Sequence, residues 1–175
     1  MNGQHGLVMV YTGDGKGKTT AAMGLVLRAV GHDQRVLVVQ FMKGRPTGEI
    51  AALQRFLPQV EVWRSGREAF VDPDHPDEED VKLARETLEQ VGQSVAAGKY
   101  DLVVLDELNV AVDYGLVPET LVMDLVASKP QAVTLVLTGR GASPRILEMA
   151  DLVSEIREIK HHWRQGVPAQ SGIEF

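Results

Sequence analysis

The sequence predicts an α/β fold in which a mostly parallel sheet carries helices on both faces. Three observations predict it. Strand-like runs alternate with helix-like runs along the whole chain, the order of a parallel sheet rather than of hairpins. Runs such as Leu102-Val103-Val104-Leu105 are apolar at every position, which suits strands covered on both faces. The first run, Leu7-Val8-Met9-Val10-Tyr11, passes through a glycine-rich turn directly into a helix-like stretch.

Strands are expected at Leu7–Tyr11, Val36–Gln40, Val60–Trp63, Leu102–Asp106, Val133–Thr138 and Leu152–Ile156. The first helix runs from Ala21 to Val30 with Met23, Leu27 and Val30 on one face, and Gly31 stops it. A second spans Glu49 to Leu57 and ends before Pro58. The longest covers Pro76 to Ala97. Pro76 suits its first position, and Asp77, Glu78, Glu79 and Asp80 suit the positive end of its dipole. Val81, Ala84, Leu88, Val91 and Val95 form its buried stripe, and Gly98 ends it. A further helix covers Pro118 to Ala127, and a short one begins at Ser143-Pro144, a capping residue followed by proline.

At 175 residues, 44% hydrophobic and 24% charged, the chain has the length of one domain, residues 1–175, with a sizeable core. Repeats, low-complexity linkers and domain breaks are not evident. A net charge of −6 argues against broad nucleic-acid binding. The absence of cysteine excludes disulfides, thiolate zinc sites and cysteine nucleophiles, and fits a reducing cytoplasm. No apolar run approaches the ~20 residues of a membrane span, and Met1 to Gly6 lacks the apolar core of a signal peptide.

The stretch that carries chemistry is Thr12-Gly13-Asp14-Gly15-Lys16-Gly17-Lys18-Thr19-Thr20. Its glycines let successive N–H groups turn inward around an anion, and the following helix adds partial positive charge. Lys18 reaches outer phosphates and the Thr19 hydroxyl ligates magnesium. The usual motif begins with glycine where this chain has Thr12, so the match is incomplete there, with Gly13 and Gly15 close by. The strand-before, helix-after context predicts a nucleoside triphosphate site, against the alternative of a surface turn that binds nothing.

Asp106 and Glu107 end an apolar strand, at the edge where open α/β sheets bind ligands. An acid there holds magnesium directly or through water; the alternative is a pair of solvated loop acids. Arg140, in Thr138-Gly139-Arg140-Gly141, reaches the same edge. It binds a phosphate through its planar fork or pairs with Asp106 or Glu107. Phe41-Met42-Lys43-Gly44 suits a large, partly apolar ligand, or Phe41 is simply buried. The irregular stretch from Arg64 to His75 is a mobile lid or a plain connection with Phe70 tucked into the core. Lys160-His161-His162-Trp163 reads as surface or packing, since adjacent histidines point apart. The acids from Asp72 to Asp80 read as helix-start chemistry, because they lack the spacing of a calcium loop.

Taken together, Tyr11 to Ala22, Gln40-Phe41-Met42-Lys43-Gly44, Leu105-Asp106-Glu107, Thr138-Gly139-Arg140-Gly141, Lys160-His161 and Gly172-Ile173-Glu174-Phe175 resemble the phosphate-loop cobalamin (corrinoid) adenosyltransferases, in the family's order over essentially the whole chain. The resemblance implies a RecA-like phosphate-loop core. It also implies transfer of the 5′-deoxyadenosyl group of ATP to cobalt(I) of a corrinoid, with inorganic triphosphate released and the nucleotide reversed in its loop. Gly13, Asp14, Gly15, Lys16, Gly17, Lys18, Thr19, Thr20, Arg140, Phe41 and Lys43 would bind the substrates. Thr19, Glu107 and Asp106 would hold magnesium, with Lys18 and Glu107 serving catalysis.

Phe70 looks like an aromatic position that family members use on the corrinoid's lower face, easing reduction of cobalt(II). Some members carry tryptophan where this chain has Asp72, and Asp14 stands where asparagine is more common. The resemblance further implies a homodimer and an electron-donating reductase, a flavodoxin or reduced flavin. Residues alone leave two rivals: a small-molecule kinase or ATPase, and a non-catalytic ATP-binding regulator. The lack of an Asn-Lys-x-Asp signature disfavours a GTPase.

Overall fold

A computed structural model describes residues 5–44, 47–67 and 71–174. Its elements run β1 (Val8–Thr12), α1 (Lys18–Val30), β2 (Val36–Phe41), α2 (Gly48–Phe56), β3 (Glu61–Ser65), α3 (Glu78–Ala96), β4 (Leu102–Asp106), α4 (Leu108–Asp113), α5 (Glu119–Ser128), β5 (Thr134–Thr138), α6 (Pro144–Met149) and β6 (Leu152–Glu155), then a 3-10 turn at His162–Gln165. The strands form one six-stranded sheet in the order β3-β2-β4-β5-β1-β6, and every pairing is parallel. The α/β expectation is met. Strand β5 lies between β1, which feeds the glycine-rich loop, and β4, which ends in Asp106, as in RecA-like cores.

The two-residue period of the strands divides the core into two layers. Val10, Val39, Phe41, Val103, Leu105, Leu135 and Leu137 pack on one face with Ala84, Leu88, Val91 and Val95 of α3. Val36, Val38, Leu102, Val104 and Val136 pack on the other with Ala22 and Val26 of α1 and Ile50 and Leu53 of α2. By the same alternation Gln40, Asp106 and Thr138 face α1 at the carboxyl edge.

Local expectations needed four corrections. Helix α1 buries Ala22, Val26 and Ala29, while Leu27 is 60% exposed, so the stripe Met23-Leu27-Val30 is not the core face; alanines let the helix lie close to the sheet. Pro76 lies outside α3, because the Asp77 side chain accepts from the Glu79 amide at 2.9 Å and caps the helix there. Pro118 likewise precedes α5 as its cap. Helix α4 was not anticipated: six residues following two acids give too little periodicity to read. Ser143 caps α6 by accepting from the Ile146 amide at 3.2 Å, as expected.

Candidate active site

The loop between β1 and α1 is braced from beneath by the chain that leaves β6. Gly15 N–H donates to the Ile156 carbonyl at 2.8 Å, and Ile156 N–H donates to the Thr12 carbonyl at 2.8 Å. Gly13 has φ +93°, and a Cβ there would lie 2.5 Å from the Ile156 oxygen, so the loop follows this path only with glycine. Gly17 caps α1 without a side-chain hydrogen bond, which leaves the first-turn N–H groups free for an anion. Lys18 Nζ donates to the carbonyls of Gly13 at 2.6 Å and Gly15 at 2.8 Å. Burial holds its pKa below the usual 10.5.

Facing this loop across the sheet edge, Asp106 is fully buried. Its Oδ1 accepts from the hydroxyls of Thr19 and Thr138, each at 2.7 Å. Its Oδ2 accepts from Lys43 Nζ at 2.8 Å and Gln40 Nε2 at 3.4 Å. Glu107 differs from its neighbour. It stands in the left-handed region at φ +61°, outside the usual range for a side-chain-bearing residue. Its N–H donates to Thr138 Oγ1 at 3.0 Å, and no side-chain hydrogen bond or ion pair engages its carboxylate among the described residues. Burial, and secondly the Asp106 charge, push its pKa above 4.5. Met42, after β2, is left-handed as well at φ +60°, so two of the strand exits onto this edge are strained.

Arg140 follows β5 and is exposed. It forms no ion pair with Asp106 or Glu107 among the described residues, so that alternative is set aside. The turn before it demands glycine: Gly139 has φ +130°, and a Cβ there would meet Val110 N at 2.9 Å. Asn109 Nδ2 donates to the Gly139 carbonyl at 3.3 Å.

These groups share a cavity of about 1060 Å³, walled by Asp14 to Thr20, Lys43, Glu107 and Arg140, with Glu49, Tyr114 and Glu158 and, from the C-terminal segment, Gly172, Ile173 and Glu174. The fold thus brings most of the expected residues together. Gly13, bonded to Lys18, and Asp106, bonded to Thr19 and Lys43, are not themselves in its wall, and Phe41 is set apart altogether. It is 0% exposed and belongs to the core layer on the face of the sheet opposite Gln40, so it is a core residue and not a wall of the cavity. Phe70 lies outside the described residues, as does Phe175.

Two residues of the cluster, Gln40 and Thr138, were read from sequence only as parts of motifs. A glutamine inside the apolar run Val36-Leu37-Val38-Val39-Gln40-Phe41 was the available signal. The two histidines do not point apart as expected: His161 and His162 stack on each other at 4.6 Å, and His161 lines the cavity; among the described residues no cluster of three or more His, Cys, Asp or Glu could hold a metal. The acids from Asp77 to Asp80 carry a second role besides capping, since Arg67 forks onto Asp80 at 2.7 and 2.8 Å. Among the described residues no helix is long and apolar enough to cross a membrane.

Known proteins resemble this sequence over nearly its whole length. A family model described as ATP:corrinoid adenosyltransferase BtuR/CobO/CobP matches residues 4–175. A corrinoid adenosyltransferase of Escherichia coli is 40% identical over 173 residues, covering 98% of this chain and 87% of the relative. One from Pseudomonas aeruginosa is 39% identical, covering 98% and 85%. The corrinoid adenosyltransferase CobA of Salmonella typhimurium is 39% identical, covering 98% and 87%.

Proposed function

The chain belongs to the ATP:corrinoid adenosyltransferase family, and from that premise we propose that the cavity above its glycine-rich loop is where ATP and corrinoid react. The enzyme transfers the adenosyl group of ATP to the corrinoid. Cobalt(I), the nucleophile, forms a bond to the 5′ carbon of the ribose. The carbon–oxygen bond breaks and its electron pair leaves with inorganic triphosphate. The nucleophile carries no proton, so no general base is required.

The protein's task is to receive negative charge and hold geometry. Lys18 turns from its loop carbonyls to the outer phosphates, and the loop N–H groups and Arg140 meet the charge that develops on the leaving group. Gly13, Asp14, Gly15, Lys16, Gly17 and Thr20 shape the phosphate cradle, and Lys43 borders it.

The donor set fits magnesium. It is all oxygen, Glu107 is an unpaired carboxylate beside a second one, and a metal held there would share its shell with phosphate and water. Thr19 and Glu107 would hold the ion. Asp106, already filled by four donors, contributes by orienting the Thr19 hydroxyl. When bound, the ion neutralises charge on the leaving triphosphate.

Residues 1–175 act as one unit in the cytoplasm, as a homodimer that takes electrons from a flavodoxin or reduced flavin, with Phe70 on the corrinoid's lower face. The observation that carries the reading is the convergence of the loop, Glu107 and Arg140 on one cavity in a chain matched to this family over residues 4–175. No observation favours the kinase or regulator alternatives. The test is anaerobic: protein, ATP, magnesium and chemically reduced cob(I)alamin. The adenosylcobalamin spectrum should appear with an equal amount of triphosphate. An unchanged spectrum with ATP converted to ADP would overturn the reading.

A further inference from the structure

The mechanism leaves the C-terminal segment unexplained, although Gly172, Ile173 and Glu174 wall the same cavity as the loop. From Gly166 to Ile173 the chain is exposed, whereas Glu174 turns inward, with its side chain 16% exposed. A short local turn fixes it: Gln170 N–H donates to Glu174 Oε2 at 2.8 Å, and Glu174 N–H donates back to the Gln170 carbonyl at 2.9 Å. The Gln170 amide, with help from Lys16, holds the carboxyl below the usual carboxylate range, so it is an anion at neutral pH.

The other oxygen, Oε1, is buried without a hydrogen bond among the described residues. It lies 3.7 Å from Lys16 Nζ and 3.6 Å from His162 Nε2. Lys16 also donates to the Ile173 carbonyl at 2.6 Å. Apolar burial does not hold this segment, because Ile173 is 60% exposed. Among the described residues, its hydrogen bond and ion pair to the loop both converge on Lys16.

We propose that Glu174 is a positioning residue for adenosyl transfer: together with the Ile173 carbonyl it holds the Lys16 ammonium over the glycine-rich loop, ready for triphosphate. A free lysine side chain loses rotamer freedom when it engages a ligand, and one already held loses less. The benefit therefore falls on ATP and not on the corrinoid. The inference rests on the phosphate-loop reading of Lys16.

The test is a double-mutant cycle on the full chain with Lys16→Met and Glu174→Gln, read as KM for ATP, KM for cob(I)alamin, kcat and thermal midpoint. Glu174→Gln should raise KM for ATP about five-fold, equivalent to roughly 1 kcal/mol, with kcat, the corrinoid KM and the midpoint unchanged. In the Lys16→Met background it should add nothing. An equal penalty in both backgrounds, or a fall in midpoint that accounts for the loss, overturns the positioning role. If Lys16→Met itself leaves KM for ATP unchanged, the phosphate-loop reading of Lys16 fails instead.

Discussion

Replacing Asp106 with asparagine isolates the electrostatic centre of the site. The side chain keeps its shape, so its carbonyl oxygen can still accept from Thr19 and Thr138. The amide nitrogen then takes the position of Oδ2, where Lys43 Nζ now donates at 2.8 Å. Two donors face each other, and the ammonium loses its counter-charge.

Breaking a fully buried ion pair by removing one partner costs about 3–5 kcal/mol. Lys43 is 26% exposed, and partial hydration brings the expected loss to about 2–3 kcal/mol. For a domain of this size that is a fall in midpoint of roughly 5–10 °C. Burial works to lower the Lys43 pKa, and Asp106 more than reverses it, so the value lies above 10.5. The pair's contribution is therefore complete below pH 10.5 and is lost as pH rises through the folded-state value; Asp106→Asn should abolish that alkaline dependence. Adding Lys43→Met removes the stranded ammonium, so the double variant should lose about 1–2 kcal/mol less than the sum of the singles. Circular-dichroism melts without nucleotide or magnesium measure all three. A midpoint within about 1 °C of wild type for Asp106→Asn, or additive single effects, would refute the reasoning.

Lys18→Ala should lower turnover about a hundredfold or more, the scale of one preorganised donor, while the melting profile stays near wild type; normal turnover would remove the phosphate-loop assignment. Glu107→Gln should stabilise the nucleotide-free protein at pH 7.5, because the raised pKa marks a carboxylate whose charge is disfavoured by folding. That gain should shrink as pH falls through the folded-state pKa and vanish below the unfolded value of 4.5, while magnesium-dependent transfer is lost; a destabilised variant would contradict it. Gly13→Ala forces a Cβ to 2.5 Å from a backbone oxygen at φ +93°, a strain of about 1–3 kcal/mol. Calorimetry should show ATP affinity falling with it, and unchanged affinity would mean the loop path is not what binds phosphate.

Much of this was legible in the chain. Contiguous residues set the period of strands and helices, the cap at Ser143, and the loop from Thr12 to Thr20. These are local properties, and they persist whatever the strand order. Apolar strands ending in Asp106-Glu107 and Thr138 pointed to one sheet edge. The unread parts depended on which side of the sheet a residue faces. Phe41 and Gln40 are neighbours in sequence with similar prospects, yet one joins the core on one face of the sheet and the other reaches Asp106 on the opposite face. The buried face of α1 was misjudged for a related reason: small residues gain closeness rather than area, which hydrophobicity does not register.

By itself, then, the sequence determined the α/β class, the glycine-rich loop between strand and helix and the membership of a family, because each is written in adjacent residues or in their order. Only the tertiary structure decided how the charges pair. Gln40 sits opposite Asp106 because β2 and β4 are parallel neighbours in that register. Lys16 meets the Ile173 carbonyl across 157 positions of chain. Such contacts follow from strand order and layer, which arise when distant segments bury their apolar faces together, and no spacing along one strand encodes them.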